Sequence, residues 1–125
     1  MDIERINAPK APEAVGPYVH AVKAGDMLYT SGQIGLVPAT GELANGIMAQ
    51  THQAINNLRN VLLAAGLDFE NVVRTMVFLA DINDFATFNE IYAIYFRDAL
   101  PARSCVQAAA LPKGALIEIE AIAAY

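Results

Sequence analysis

The segment Val72–Ala80, VVRTMVFLA, constrains the fold of this chain more than any other. It has the length of one strand, and it is apolar at both alternating sets of positions except for Arg74 and Thr75. A strand of this kind is usually covered on both faces. Two further segments have helical periodicity, and two helices can cover one face of a sheet but not both. We therefore expect other copies of the same chain to cover the second face.

The composition also indicates that part of the surface of this chain is buried against other molecules. The 125 residues are 55% hydrophobic and 17% charged, which is more apolar than a typical soluble domain. This length suits a single domain, residues 1–125. No apolar run reaches the roughly 20 residues that cross a bilayer, so we expect no membrane partner.

Charge and cysteine content restrict the partners and the compartment. The net charge is −5 and the eight basic residues are scattered, whereas a nucleic-acid-binding protein usually presents a basic patch. The N-terminal residues MDIERINAPKAPEA lack the apolar core of a signal peptide. The lone Cys105 cannot form an internal disulfide, and no HxxxH or CxxC spacing indicates a metal site. We expect a cytoplasmic protein without a nucleic-acid partner.

Local patterns predict an α+β chain with a mixed sheet. Gly46–Ala65 has an apolar stripe, with Gln53, Asn56, Asn57 and Asn60 largely outside it, and Gly66 ends this helix. A second helix follows Asn83 or Asp84 as its N-cap and runs to Phe96, with Phe85, Phe88, Tyr92 and Tyr95 or Phe96 at helical spacing. Besides Val72–Ala80, the predicted strands are His20–Lys23, Met27–Gln33, Ser104–Ala109 and Leu116–Ala124.

The two C-terminal strands carry the groups that suit chemistry. Alternation places Arg103 and Cys105 on one face of their strand, and it places Glu118 and Glu120 together opposite an apolar stripe. If the strands pair as a hairpin, a register with Cys105 opposite Glu118 brings Arg103 and the acids to a shared face. An arginine grips a carboxylate with two hydrogen bonds, and a glutamate can activate water. Spacing alone favours a simpler interpretation, a structural Arg–Glu ion pair at a subunit contact.

Several motifs resemble one known family along essentially the whole chain. They are GPY at 16–18, SGQI at 31–34, DFATFN at 84–89, PARSCVQAAALP from Pro101, and IEIEAIA from Ile117. Together they resemble the reactive intermediate deaminases, the RidA/YjgF family. This resemblance implies a chorismate-mutase-like fold, in which two α-helices pack on one face of a mixed β-sheet. It also implies a homotrimer with a central barrel and active sites between subunits.

The resemblance further implies an activity and a set of site residues. The family hydrolyses 2-aminoacrylate, 2-aminocrotonate and their imine tautomers (2-iminopropanoate and 2-iminobutanoate) to 2-keto acids and ammonia. It uses no cofactor, although pyridoxal-phosphate-dependent dehydratases supply its substrates. Arg103 would bind the substrate carboxylate, Glu118 would position or activate water, and the Cys105 backbone would contact the substrate nitrogen. Further residues expected in the cleft are Tyr18, Ser31, Gly32 and Asn89.

This chain departs from the family pattern at Leu100, where an aromatic residue is expected, and at Gln107, where an acid is common. Leu100 puts the shape of the pocket wall in question rather than the chemistry. A thiol nucleophile at Cys105 would need His20 or His52 as its base, and a half-buried thiol is the simpler interpretation.

Two other functions stay open from the sequence. The chain could bind small keto acids without turnover, as a regulatory or chaperone-like module. Chorismate-mutase-type chemistry calls for several cations around a dicarboxylate, which a single Arg beside two Glu suits poorly.

Overall fold

A computed structural model describes all 125 residues, Met1–Tyr125, as one mixed sheet with two long helices. This confirms the predicted α+β class. Neither helix combines the length and apolar character that spanning a membrane requires. The strands are β1 (Ile3–Ile6), β2 (Ala21–Ala24), β3 (Met27–Thr30), β4 (Gln33–Ile34), β5 (Val72–Leu79), β6 (Ala102–Gln107) and β7 (Ile117–Ala124), and the helices are α1 (Gly46–Ala64) and α2 (Phe85–Phe96).

The strand order is β1-β2-β3-β7-β5-β6, with β4 also paired to β7. β5 and β6 are parallel because α2 carries the chain back along the sheet between them, and every other pair is antiparallel. The hairpin considered for the last two strands is therefore wrong. β5 lies between β6 and β7 and pairs with both along almost its whole length.

The predicted strand Met27–Gln33 is interrupted at Ser31 and Gly32. β3 pairs Tyr29 with Ile122, whereas β4 pairs Gln33 with Ile119, so the five residues from Tyr29 to Gln33 oppose four residues of β7. Such a bulge turns side chains away from regular alternation. The buried Thr30 hydroxyl fills the gap by accepting a hydrogen bond from the Ala121 N–H at 3.0 Å.

Both helices pack on the same face of the sheet, as predicted. This face carries alternate residues of β5 and β7, and its core side chains are fully buried. They include Leu28, Ile55, Leu58, Leu62, Val77, Phe88, Phe96, Ile117 and Ile119. On the opposite face, which no helix covers, Met76 and Phe78 are only half-buried. The chain thus leaves apolar side chains partly exposed on one sheet face, which also carries Arg74, Glu118 and Glu120.

Buried amide side chains join α1 to the strands beside it. Asn57 was predicted to lie outside the buried stripe, but it is fully buried and donates hydrogen bonds to the carbonyls of Ile34 and Leu36, at 3.0 and 2.8 Å. Gln50 accepts a hydrogen bond from the Leu116 N–H at 2.8 Å. These amides are buried because they satisfy backbone groups that the short β4 and the start of β7 leave unpaired.

Two local predictions also need correction. The side chain that caps the start of the α2 region belongs to Asp81, which accepts from the Asn83 N–H at 2.9 Å and begins a single 3₁₀ turn over Ile82–Asp84. Asp84 holds the N-cap position of α2 but makes no capping hydrogen bond. The sequence pattern also missed β1, an edge strand whose residues are mostly exposed.

Gly35→Ala tests the contact between α1 and β4. A Cβ at Gly35 would lie 2.7 Å from both the Cα and the carbonyl oxygen of Gln50, and backbone atoms cannot move aside locally. We expect the variant to lose about 1–3 kcal/mol of stability through overpacking. Thermal unfolding followed by circular dichroism measures the effect. Gly35 has no left-handed backbone, so without this contact alanine would stabilise the protein, and a raised Tm would contradict the packing.

Candidate functional site

The predicted site residues form two groups on opposite faces of the sheet. Arg103 and Cys105 pair with Thr75 and Val77 of β5, which face the helices. Glu118 pairs with Phe78, on the face that no helix covers. Paired residues of neighbouring strands share a face, so a single chain cannot bring Arg103 and Glu118 together across the sheet. The shared face expected from a hairpin is wrong, because β5 separates the two strands.

In the first group, Arg103 is held by neutral partners. Its Nη1 donates a hydrogen bond to the Asn89 Oδ1 of α2 at 2.8 Å. Its Cζ lies 4.6, 5.5 and 5.7 Å from the ring centroids of Tyr92, Phe85 and Phe88. The only ion pair within the chain joins Arg59 to Asp68, so no carboxylate compensates the Arg103 charge. A guanidinium fixed in this way is available to a carboxylate ligand.

These three aromatic rings belong to the site, whereas their helical spacing predicted only a packing stripe of the second helix. The signal that could have found them is the strand–helix–strand order, since a parallel pair requires its crossover helix to lie over the sheet. That requirement puts α2 above β6, and the stripe then faces Arg103 as well as the core.

A cavity of about 480 Å³ opens beside Arg103. Leu100 forms part of its wall, with a left-handed backbone (φ 44°) and 78% exposure. The Leu100 N–H donates to the Phe96 carbonyl and closes the C-terminal end of α2, a position where glycine is usual. Leu100, where this chain departs from the family pattern, therefore lies in the wall of the Arg103 cavity. The cavity is lined by Asn89, Tyr92, Ala93, Phe96, Arg97, Leu100, Pro101 and Arg103.

Cys105 lies beside Arg103 on the edge strand β6 and is half-buried. Burial raises the pKa of its thiol, and the Arg103 charge opposes this only in part. His20 is engaged elsewhere, since its Nδ1 accepts from the Ala8 N–H and its Nε2 therefore donates to the Pro12 carbonyl. His52 bonds the Tyr95 hydroxyl at 2.6 Å. The environment thus favours a protonated thiol, with no imidazole bonded to it.

The second group surrounds Glu118. Tyr18, Gly32 and Glu118 line a cavity of about 270 Å³, together with Lys113 from the turn before β7. Ser31 does not line it, because its hydroxyl donates to the Val19 carbonyl at 2.6 Å and fixes the backbone next to Tyr18. Tyr18 itself is 52% exposed. The structure therefore gathers Tyr18, Gly32 and Glu118, and it gives Ser31 a supporting contact.

Gly32 allows the Glu118 carboxylate to lie against the backbone. A Cβ at this position would be 2.6 Å from the Glu118 Oε2 and 2.9 Å from its Cδ. Any side chain at residue 32 would therefore displace the carboxylate. The bulge between β3 and β4 produces this approach, because it places Gly32 at the point where pairing to β7 shifts.

The Glu118 carboxyl has an altered acidity. Burial raises its pKa above the usual glutamate range, and the nearby Glu120 charge raises it further. A carboxylate of this kind accepts and returns a proton more readily near neutral pH than an ordinary glutamate does. Glu120 has no cation within ion-pair distance in the chain. It shares an open-face cavity with Arg74, whose Nη2 donates to the Ser104 hydroxyl.

Known proteins resemble this chain over nearly its full length. The family model for Endoribonuclease L-PSP matches residues 8–125. The 2-iminobutanoate/2-iminopropanoate deaminase of Mus musculus is 54% identical over 119 residues, covering 94% of this chain and 88% of that protein. An endoribonuclease L-PSP candidate from Entamoeba histolytica has a crystal structure with a TM-score of 0.96 and 48% identity, covering 99% and 100% of the two chains. E. coli TdcF with bound serine has a TM-score of 0.93 and 43% identity, covering 98% of each chain.

The matched region includes both groups of site residues, and the identity is high enough to place the two groups in one shared fold. The chain therefore belongs to the Endoribonuclease L-PSP family, the RidA/YjgF family.

Proposed function

We propose that this protein is a hydrolytic deaminase of 2-aminoacrylate, 2-aminocrotonate and their imine tautomers 2-iminopropanoate and 2-iminobutanoate. The observation that carries the proposal is the Arg103 guanidinium, which neutral groups hold and no acid compensates. Mammalian relatives bear the name of this activity at 50–56% identity. TdcF crystallised with serine, a small molecule that carries the carboxylate such an arginine would bind.

The active site of this proposal lies between two copies of the chain. Arg103 and Glu118 are on opposite faces, so the Arg103 of one copy must meet the Glu118 of another. The uncovered face with Met76 and Phe78 supports the same assembly, because its apolar surface is buried when copies associate. We propose a homotrimer whose sheets surround a central barrel.

The reaction follows from these groups. Arg103 binds the carboxylate of the imine, and this fixes C2 of the substrate near the Glu118 of the neighbouring copy. Glu118 takes a proton from water as the water oxygen bonds to C2, and the C=N π electrons move to nitrogen, which gains a proton from solvent or from the protonated Glu118. The hydroxyl proton of the tetrahedral carbinolamine then passes through Glu118 to the amino nitrogen, so the C–N bond breaks with release of ammonia as C=O forms. The products are the 2-keto acid and ammonia.

The other predicted residues have supporting roles in this proposal. The Cys105 backbone, on the open edge of β6, contacts the substrate nitrogen, and Tyr18 closes the Glu118 side of the cleft. Asn89 acts through Arg103, whose orientation it fixes. No step needs a cofactor. The substrates come from pyridoxal-phosphate-dependent dehydratases, and we place the reaction in the cytoplasm, where Cys105 stays reduced.

Two alternatives arise from the comparisons. The family description names an endoribonuclease, but a net charge of −5 disfavours RNA binding, and hydrogen bonds already engage both histidines. The serine bound to TdcF also fits a module that binds small amino or keto acids without turnover. Ammonia release above the spontaneous rate, at catalytic protein concentration, separates turnover from stoichiometric binding.

Mixing two inactive variants tests both the residues and their placement. Arg103→Ala and Glu118→Gln should each lose about a hundredfold or more of kcat/KM, because each removes one essential half of the site. When the two are unfolded together and reassembled, about a quarter of random interfaces combine an intact Arg103 with an intact Glu118, so activity should return. The assay follows pyruvate and ammonia from 2-aminoacrylate generated from serine by a dehydratase.

The control is each variant unfolded and reassembled alone, with light scattering to verify that the oligomer forms. Mixed oligomers without recovered activity would contradict a site shared between copies. Full activity of the Arg103→Ala variant alone would contradict the proposed role of this arginine.

The acidity of Glu118 predicts the acid side of the pH profile. Catalysis needs the ionised carboxylate, and its pKa is raised by burial and by Glu120. In the substrate complex the bound carboxylate neutralises Arg103, so kcat, which reports that complex, should fall with decreasing pH at a midpoint above the roughly 4.3 of an ordinary glutamate. Glu120→Gln removes the smaller cause of the shift and should lower this midpoint without restoring the ordinary value, since burial remains. Initial rates at constant ionic strength measure it. Glu42→Gln, at an exposed loop position, is the control, and an unmoved midpoint in Glu120→Gln would contradict the assignment.

Gly32→Ala tests the position of Glu118 separately from folding. The added methyl meets a flexible carboxylate rather than backbone, so the chain should fold with a Tm close to that of the unmodified protein. The displaced carboxylate should reduce kcat by roughly a hundredfold. Thermal unfolding and the coupled ammonia assay give the two readouts. Unchanged kcat would show that catalysis does not depend on this close approach.

A further inference from the structure

Tyr92 is the aromatic side chain nearest to Arg103. The distance from the Arg103 Cζ to its ring centroid is 4.6 Å, about one ångström less than to the Phe85 and Phe88 rings. Tyr92 is 7% exposed, so this contact is shielded from water. A guanidinium over an aromatic face is attracted by the ring quadrupole, and the attraction is larger when the pair is desolvated.

The Tyr92 ring is itself held from three sides. Its hydroxyl forms a 2.7 Å hydrogen bond with the hydroxyl of Thr75, which is fully buried on β5. Phe96 stacks on the ring at 4.4 Å, and Phe88 contacts it at 5.5 Å. Thr75 pairs with Arg103 in the β5–β6 ladder. The hydrogen bond to Thr75 therefore fixes the Tyr92 ring next to the strand position that carries the guanidinium.

A neutral ring differs from an acid as a support for arginine. A carboxylate in this place would orient the guanidinium but would also occupy its hydrogen-bond donors and cancel its charge. Burial raises the pKa of the Tyr92 hydroxyl, so the ring stays uncharged at neutral pH. The ring face uses none of the N–H donors, and Asn89 takes only Nη1.

We propose that Tyr92 is a positioning residue, whose ring face orients Arg103 while leaving its charge and its remaining donors for the substrate carboxylate. This inference rests on the proposed function and deepens it. It makes a residue of α2 responsible for part of the affinity for small 2-keto and 2-imino acids.

Tyr92→Phe and Tyr92→Leu separate the ring face from the hydroxyl. Tyr92→Leu removes the face and should raise the Kd for 2-oxobutanoate, and the substrate KM, by about tenfold, with a smaller change in kcat. Tyr92→Phe keeps the face and should bind 2-oxobutanoate within about twofold of the unmodified protein, although its Tm falls because the Thr75 hydroxyl loses its partner. Calorimetric titration of the intact oligomer with 2-oxobutanoate gives the Kd. Tyr92→Met, whose unbranched side chain adapts better to the vacated space, replaces Tyr92→Leu if the latter does not assemble.

Tyr95→Leu and Tyr95→Phe are the matched controls. Tyr95 lies one turn further along α2, is half-buried and bonds His52 through its hydroxyl, but it does not contact Arg103. Its variants should lower Tm without changing the Kd. The inference is overturned if Tyr92→Leu leaves the Kd unchanged, if Tyr92→Phe weakens binding as much as Tyr92→Leu does, or if the Tyr95 variants weaken it equally. If the unmodified protein binds 2-oxobutanoate but releases no ammonia, the proposed deaminase function fails while the Tyr92 comparison still decides this inference.

Discussion

The position of β5 between β6 and β7 determines where every functional group lies. Thr75 pairs with Arg103 on one side and with Ala121 on the other, and its hydroxyl bonds Tyr92 beneath α2. Because the side chains of a strand alternate, this register commits Arg103 to the helix-covered face and Glu118 to the uncovered one. A shift of one residue in the β5–β6 ladder would move Arg103 to the uncovered face, and the same shift in the β5–β7 ladder would bury Glu118 in the core.

The separation also preserves the electrostatic character of each group. An arginine next to Glu118 would lower its pKa, and the carboxylate would in return neutralise the arginine. In the single chain neither occurs. Arg103 keeps its charge among aromatic rings and an amide, while burial and Glu120 raise the pKa of Glu118. Within one chain, the sheet therefore prevents Arg103 and Glu118 from forming an ion pair.

Local pattern predicted the helices, most strands and the shared face of Glu118 and Glu120, because these follow from periodicity within one segment. It could not predict that β5 enters between two strands that are consecutive in sequence, since pairing is decided by the crossover through α2 and by long-range packing. Local pattern also placed Asn57 outside the buried stripe, because its burial depends on the distant carbonyls of Ile34, in the two-residue β4, and of Leu36 just after it. Spacing picked out Arg103 and the two acids. The whole-chain resemblance singled out Glu118 and added the other expected site residues, because resemblance carries tertiary information that spacing lacks.

In the proposed assembly, one surface both holds the copies together and completes the site. The uncovered face bears Met76, Phe78 and Glu118, so covering it with a second copy buries apolar area and brings that copy's Arg103 towards the carboxylate. Before the substrate binds, the arriving arginine favours the ionised Glu118 that water activation needs. Once the substrate carboxylate neutralises Arg103, burial dominates and the Glu118 pKa rises, which favours holding the proton that the departing nitrogen requires. In this proposal, binding of the substrate carboxylate thus changes the acidity of Glu118, and it does so only between copies.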